Sequence, residues 1–130
     1  MTFLDSSVII DLLEGVDDTV GFIRSRDDKL LTSSICVYEV LDGVLGSGST
    51  DIVAERQRFD GVRTIEFTDD LAVEAARLQE ELLADGERMA ARDCIVAATA
   101  RSTGDHLVVA DSDFQTDVLA SKIGVTNLRD

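Results

Sequence analysis

The hydrophobic pattern of this chain changes period again and again. Thr2-Phe3-Leu4 and His106–Ala110 are short apolar runs, and Val62–Phe67 alternates before an apolar end. Such segments suit strands. Between them, apolar residues recur at helical spacing. Val8, Ile9, Leu12 and Leu13 share one face of a helix over Ser7–Glu14. Val37, Val40, Leu41 and Val44 form the stripe of another over Ser34–Leu45. In order, the pattern predicts strand Thr2–Leu4, helices Ser7–Glu14 and Asp18–Arg24, strand Leu30–Thr32 and helix Ser34–Leu45. A loop over Gly46-Ser47-Gly48-Ser49 follows, then helix Thr50–Phe59, strand Val62–Phe67 and a long helix Asp69–Ala84. The chain closes with an alanine-rich helix Arg92–Ser102, strand His106–Ala110, a short helix Asp113–Ala120 and strand Gly124–Asn127. Proline is absent, so glycine punctuates: Gly15, Gly46, Gly86 and Gly104 each follow a helix-like stretch, as residues just past a helix end often do.

Strands alternating with helices predict an α/β fold of three layers. Its centre is a mostly parallel sheet of four to five strands, with helices on both faces. The 130 residues are expected to form a single domain, 1–130. A chain of that length buries roughly 70% of its unfolded surface, enough for a real core. No apolar run approaches the roughly 18 residues of a membrane span. The start lacks the basic and apolar regions of a signal peptide, so a cytoplasmic location is expected. Cys36 and Cys94 both fall in helix-like segments and read as small buried apolar residues. They make no metal pair, since His106 is the only histidine.

Charge changes the picture. Acidic residues number 26 and basic residues 12, a net charge of −14. The bases are nearly all arginine, with lysine only at Lys29 and Lys122. This balance resembles proteins of salt-accumulating halophiles, in which a charged surface keeps the chain soluble and salt screens its self-repulsion. An acidic disordered chain would lack the regular apolar periodicity seen here.

Among the acids, four stand where a hydrophobic element ends or turns: Asp5, Glu39, Asp93 and Asp111, with Asp113 two residues on. Ligands of open parallel sheets bind beyond the carboxyl ends of the strands. Asp5 and Asp111 each follow a strand directly, and Glu39 and Asp93 reach the same rim from helices. Two carboxylates about 4 Å apart repel by roughly 4 kcal/mol at an effective dielectric near 20. Convergent acids therefore need a cation, and hard oxygen donors point to Mg²⁺ or Mn²⁺. Each residue also has a plainer reading. Asp5 suits a helix N-cap, Glu39 a solvated helix surface, Asp93 a first-turn acid complementing the helix dipole, and Asp111 or Asp113 another cap. Arg88 and Arg92, four apart, read as a surface pair or as a phosphate contact near Asp93. His106 reads as a strand-end residue without catalytic importance.

Together, Asp5-Ser6-Ser7 after the first strand, Glu39, Arg92-Asp93 with Ala97, Ala98 and Ala100, and Asp111-x-Asp113-Phe114 resemble the PIN-domain nucleases. Within them the pattern is most similar to the VapC-like toxins of toxin–antitoxin pairs. The resemblance spans nearly the whole chain. It implies a magnesium-dependent ribonuclease with Asp5, Glu39, Asp93 and Asp111 as catalytic, metal-binding acids. It further implies support from Asp113 and from Ser6, whose hydroxyl would orient a carboxylate or a bound water. RNA as substrate, a small antitoxin protein and a homodimer are also implied. The chain departs from the pattern at Val109, where the family often carries a threonine or serine. A PIN-like scaffold that binds RNA or protein without cutting is the alternative. A receiver domain would need adjacent acids after the first strand, and a haloacid-dehalogenase-like phosphatase would need an acid at Ser7. Given the net charge, RNA docking is expected at the arginine strips Arg24/Arg26, Arg56/Arg58 and Arg88/Arg92.

Overall fold

The computed structural model describes residues 1–46, 48 and 50–130; the expected loop over 46–49 thus lies in part, at Ser47 and Ser49, outside the described residues. The short apolar runs form strands β1 (Thr2–Leu4), β2 (Leu30–Ser33), β3 (Val62–Ile65), β4 (His106–Val109) and β5 (Val125–Asn127). The segments of helical period form α1 (Ser6–Glu14), α2 (Asp17–Arg26), α3 (Ser34–Asp42), α4 (Ile52–Gln57), α5 (Asp69–Ala84) and α6 (Ala91–Thr103). All strand pairs are parallel, in the order β3-β2-β1-β4-β5. Phe3 lies opposite both Leu31 and Leu107, so the register aligns the carboxyl ends of the central strands along one rim.

The pleat divides the core. Phe3, Leu31, Leu107 and Val109 face α5 and α6, where they meet Leu78, Leu82, Val96 and Ala97. Leu4, Val62 and Val108 face the other way, onto Val8 and Ile9 of α1, Ile23 of α2 and Val40 of α3. Successive residues of one strand thus serve opposite layers. The buried alanines of α6, Ala97, Ala98 and Ala100, let that helix lie close to sheet and α5 together.

Element ends differ from the sequence-based expectation for local reasons. Helix α3 ends at Asp42 rather than Leu45, with the Gly43 N–H turning back to the Glu39 and Leu41 carbonyls. Helix α4 starts later than Thr50 because Asp51 caps it, accepting from the Ala54 N–H. Strand β3 stops at Ile65, two residues short of Phe67, whose N–H donates to the Ser34 hydroxyl instead of a ladder partner. The helix expected over Asp113–Ala120 shrinks to a 3₁₀ turn at Asp117–Leu119. There the Asp111 carboxylate accepts the Asp113 N–H, and its carbonyl accepts the Phe114 N–H. Such local bonds offer the backbone an alternative to the helix.

His106 has a structural job. Its Nε2 pairs with the Thr126 hydroxyl at 2.7 Å, joining β4 to β5. Burial first, then the nearby Arg26 charge, lowers its pKa. Gly124 is needed beside it, because a Cβ there would stand 2.8 Å from the His106 Nδ1. Among the described residues, no helix is long and apolar enough to cross a membrane.

Leu78 is fully buried between α5 and the sheet. Replacing it with alanine is expected to cost roughly 2–5 kcal/mol. Urea unfolding should show a lower midpoint with an unchanged slope; an unshifted midpoint would contradict this packing.

Candidate active site at the carboxyl ends of the strands

The chain runs outward from β1 to β2 and β3 on one side, then returns to build β4 and β5 on the other. The direction reverses between β1 and β4, and a crevice opens beyond their carboxyl ends at such a point. Asp5 stands at its floor. Its N–H donates to the Val108 carbonyl at 3.0 Å, and its side chain is 2% exposed. The two carboxylate oxygens divide the work. Oδ2 accepts from the Ser7 N–H at 3.2 Å and the Ser7 hydroxyl at 2.5 Å, capping α1. Oδ1 points into the crevice. The Ser7 oxygen also accepts the Ala110 N–H at 2.9 Å, tying the start of α1 to the end of β4.

At the centre lies the Arg92 guanidinium, from the first turn of α6. Its Nη2 is 2.7 Å from Asp5 Oδ1, and its Nη1 is 3.1 Å from Asp93 Oδ1. Its Nε donates to Glu39 Oε1 and Oε2 at 3.1 and 3.0 Å, and Nη2 also contacts Oε1. Ser6 bridges the group: its hydroxyl donates to Glu39 Oε1 at 3.0 Å and accepts from Arg92 Nη2 at 2.9 Å. The buried Cys36 closes the wall, its Sγ 4.0 Å from Asp5 Oδ1 and 3.9 Å from Arg92 Nη2.

The electrostatics follow from this packing. Burial alone would lower the Arg92 pKa, but the hydrogen bonds of Glu39 and the charge of Asp5 outweigh it, and the net shift is upward. The guanidinium is a permanent cation here. Burial, with help from the Asp5 charge, pushes the Cys36 thiol up to about 12, so it stays protonated. Burial also raises the Asp93 carboxyl; Arg92 opposes that shift, while the charges of Asp5 and Asp111 add to it.

The crevice thus gathers Asp5, Glu39 and Asp93, with Ser6 between them. Asp111 and Asp113 sit exposed on the turn after β4. Asp111 is near enough for its charge to act on Asp93, yet among the described residues neither it nor Asp113 pairs with Arg92. Arg88 is exposed and precedes α6, so it shares no helix face with Arg92. Arg92 supplies these acids with a cation from within the chain, which the sequence reading did not foresee. Among the described residues, no three acidic, cysteine or histidine side chains are arranged to hold an ion directly. The guanidinium stands where their oxygens converge.

Sequence reasoning missed Ser7 and Cys36 as parts of this wall, and read Arg92 as a surface pair with Arg88 or a phosphate contact near Asp93, without its pairing to Asp5 and Glu39. A hydroxyl two residues after the acid that opens a helix was the available signal for Ser7. Val109, the departure from the family pattern, is fully buried in the core beneath α6. Other arginines expected to dock RNA are committed elsewhere. Arg56 stacks on Phe59 and donates to Phe59, Val62 and Thr64. Arg26 binds Thr2 and Asp28 at the opposite end of the sheet.

A carboxyl whose folded pKa is raised stabilises the fold below its unfolded value and withdraws that stability as pH climbs through the folded value. Ionised Asp93 therefore strains the fold at neutral pH. Asp93→Asn is expected to raise Tm at pH 7. The gap to the wild type should close as the pH falls toward about 4, the ordinary aspartate range. A lower Tm at pH 7 would mean that pairing with Arg92 outweighs burial.

Known proteins share this architecture. The family model of the PIN domain matches residues 2–116. Ribonuclease VapC5 of Mycobacterium tuberculosis (strain ATCC 25618 / H37Rv) is 31% identical over 114 residues, covering 77% of this chain and 84% of that protein. The structure of VapBC-5 from Mycobacterium tuberculosis, a member of the VapBC family of toxin-antitoxin systems, is 28% identical with a TM-score of 0.65. That match covers 99% of this chain and 98% of the other. A toxin-antitoxin complex from Klebsiella pneumoniae shares the fold at 20% identity, with a TM-score of 0.77 over 98% and 97% of the two chains. With the family model matching residues 2–116 and a relative 31% identical over 114 residues, this chain belongs to the PIN-domain family.

Proposed function

We propose that this chain is a single-domain, divalent-metal-dependent endoribonuclease and the toxin of a toxin–antitoxin pair. One observation carries the reading. Carboxylates from three separate segments, Asp5, Glu39 and Asp93, turn toward one cationic point in the crevice beyond β1 and β4. A purely structural role would not require acids to be brought together against their repulsion. The donor set is all oxygen, which suits Mg²⁺ or Mn²⁺. Asp5, Glu39 and Asp93 would hold the ion, with Asp111 completing the acidic rim and Asp113 beside it. A bound divalent ion supplies Lewis acidity and a more acidic water. Ser6 holds the Glu39 carboxylate in place, and Ser7 fixes which oxygen of Asp5 faces the crevice. Arg88, exposed before α6, is the arginine of this rim open to an RNA phosphate.

Partners follow from the relatives, several of which are toxin–antitoxin complexes. We propose a small antitoxin protein that covers the rim and a homodimer of this chain. The exposed Tyr38 and Leu45 near α3, with Ile52 and Val53 on α4, support an apolar contact there. A charge of −14 suits a salt-rich cytoplasm, where screening weakens repulsion of RNA. The second reading is a scaffold that binds without cutting. The observation favouring it is Arg92, which already pairs with all three carboxylates.

Single-stranded RNA with Mg²⁺ is expected to be cleaved by the wild type and spared in EDTA. Asp5→Asn and Asp93→Asn should each lose more than roughly 100-fold in rate, beyond what a supporting residue costs. Equal activity in all three proteins would defeat the assignment. Metal binding without any cleavage would favour the scaffold.

A further inference from the structure

We propose that Arg92 is a built-in competitor of the divalent ion: guanidinium and metal are alternative counter-charges for the same carboxylates, so Arg92 sets the metal affinity and leaves the cluster when the ion enters. The idea rests on the metal-dependent reading of the site.

The oxygens leave little choice. Oδ2 of Asp5 is committed to Ser7, so only Oδ1 faces the crevice, and Arg92 holds it at 2.7 Å. Both oxygens of Glu39 accept from Arg92 Nε. The Asp93 Oδ1 is engaged as well. An ion bound by these atoms would occupy lone pairs that the guanidinium uses, and would face its positive charge at contact distance. Deprotonation offers no way out, because arginine stays charged in proteins. Displacement of the side chain does. Arg92 sits in the first turn of α6, its side chain 29% exposed, next to the small exposed residues Ala90 and Ala91. Arg101, by contrast, is held bidentately by Glu81 on the neighbouring helix and serves only to join α5 and α6.

Competition weakens apparent affinity by the fraction of molecules in which Arg92 has already left. If one molecule in about ten is open, removing the competitor tightens binding about tenfold. The probe is Mn²⁺ alone, with the free ion followed by electron paramagnetic resonance on the full chain. Arg92→Gln is expected to bind Mn²⁺ at least about tenfold more tightly than the wild type, with Arg92→Lys between them. A second measurement needs no variant. Phenylglyoxal modification of Arg92 in the wild type, mapped by mass spectrometry, should rise several-fold on adding Mn²⁺, while Arg101 stays unchanged. If the wild type binds Mn²⁺ and Arg92→Gln binds it equally or more weakly, the competition is overturned and the metal site survives. Unchanged or reduced labelling of Arg92 overturns it even where the glutamine variant fails to fold. No Mn²⁺ binding by any of the proteins removes the metal-dependent reading and this inference with it.

Discussion

A single guanidinium reconciles acids that the chain keeps far apart. Arg92 joins Ser6, 86 residues away, and Glu39, 53 residues away, to its own neighbour Asp93. Asp5, almost fully buried at the end of β1, would otherwise be a charge with little solvent and two like-charged neighbours. Desolvating such a group costs several kcal/mol unless an opposite charge and hydrogen bonds compensate. Here the compensation is shared: Ser7 serves one oxygen of Asp5 and Arg92 the other. The geometry works because parallel register brings the ends of β1 and β4 to one rim, with α1, α3 and α6 all starting there.

The same contacts belong to the fold and to the site. Asp5 caps α1 while presenting its other oxygen to the crevice. Ser7 caps nothing itself but ties α1 to the strand beside it. Asp93 is the exception, since burial disfavours its charge. Natural proteins often hold such groups where activity needs them, at some expense in stability. Cys36 fits the same logic in reverse: buried beside two charges, its thiol is kept protonated and so inert as a nucleophile.

Several other arginines of this acidic chain are structural. Arg56 anchors the end of α4 to β3, Arg101 joins α5 to α6, and Arg129 pairs with the buried Asp11 near the C-terminus. Few basic side chains remain to oppose the surface charge. Within the acidic crevice, Arg92 is the counter-charge that pairs with Asp5, Glu39 and Asp93.

By itself, the sequence determined the layers and their order. Period-two and period-3.6 patterns are local, so the alternation of strands and helices and the parallel sheet were legible, while the split of the core between Phe3 and Leu4 was read only from the structure. So was the placing of Asp5 past a strand end, because topology alone puts it on the rim. Element ends were less legible, since Asp51, Ser34 and Asp111 redirect single backbone hydrogen bonds that no periodicity reveals. The partner of the acids was decided only by tertiary structure. An arginine in a first helical turn reads as surface, and nothing local shows that its side chain turns inward. That choice arises from the crossing of α6 over the β1–β4 crevice, where burying one cation among three carboxylates is less costly than leaving the acids to face one another.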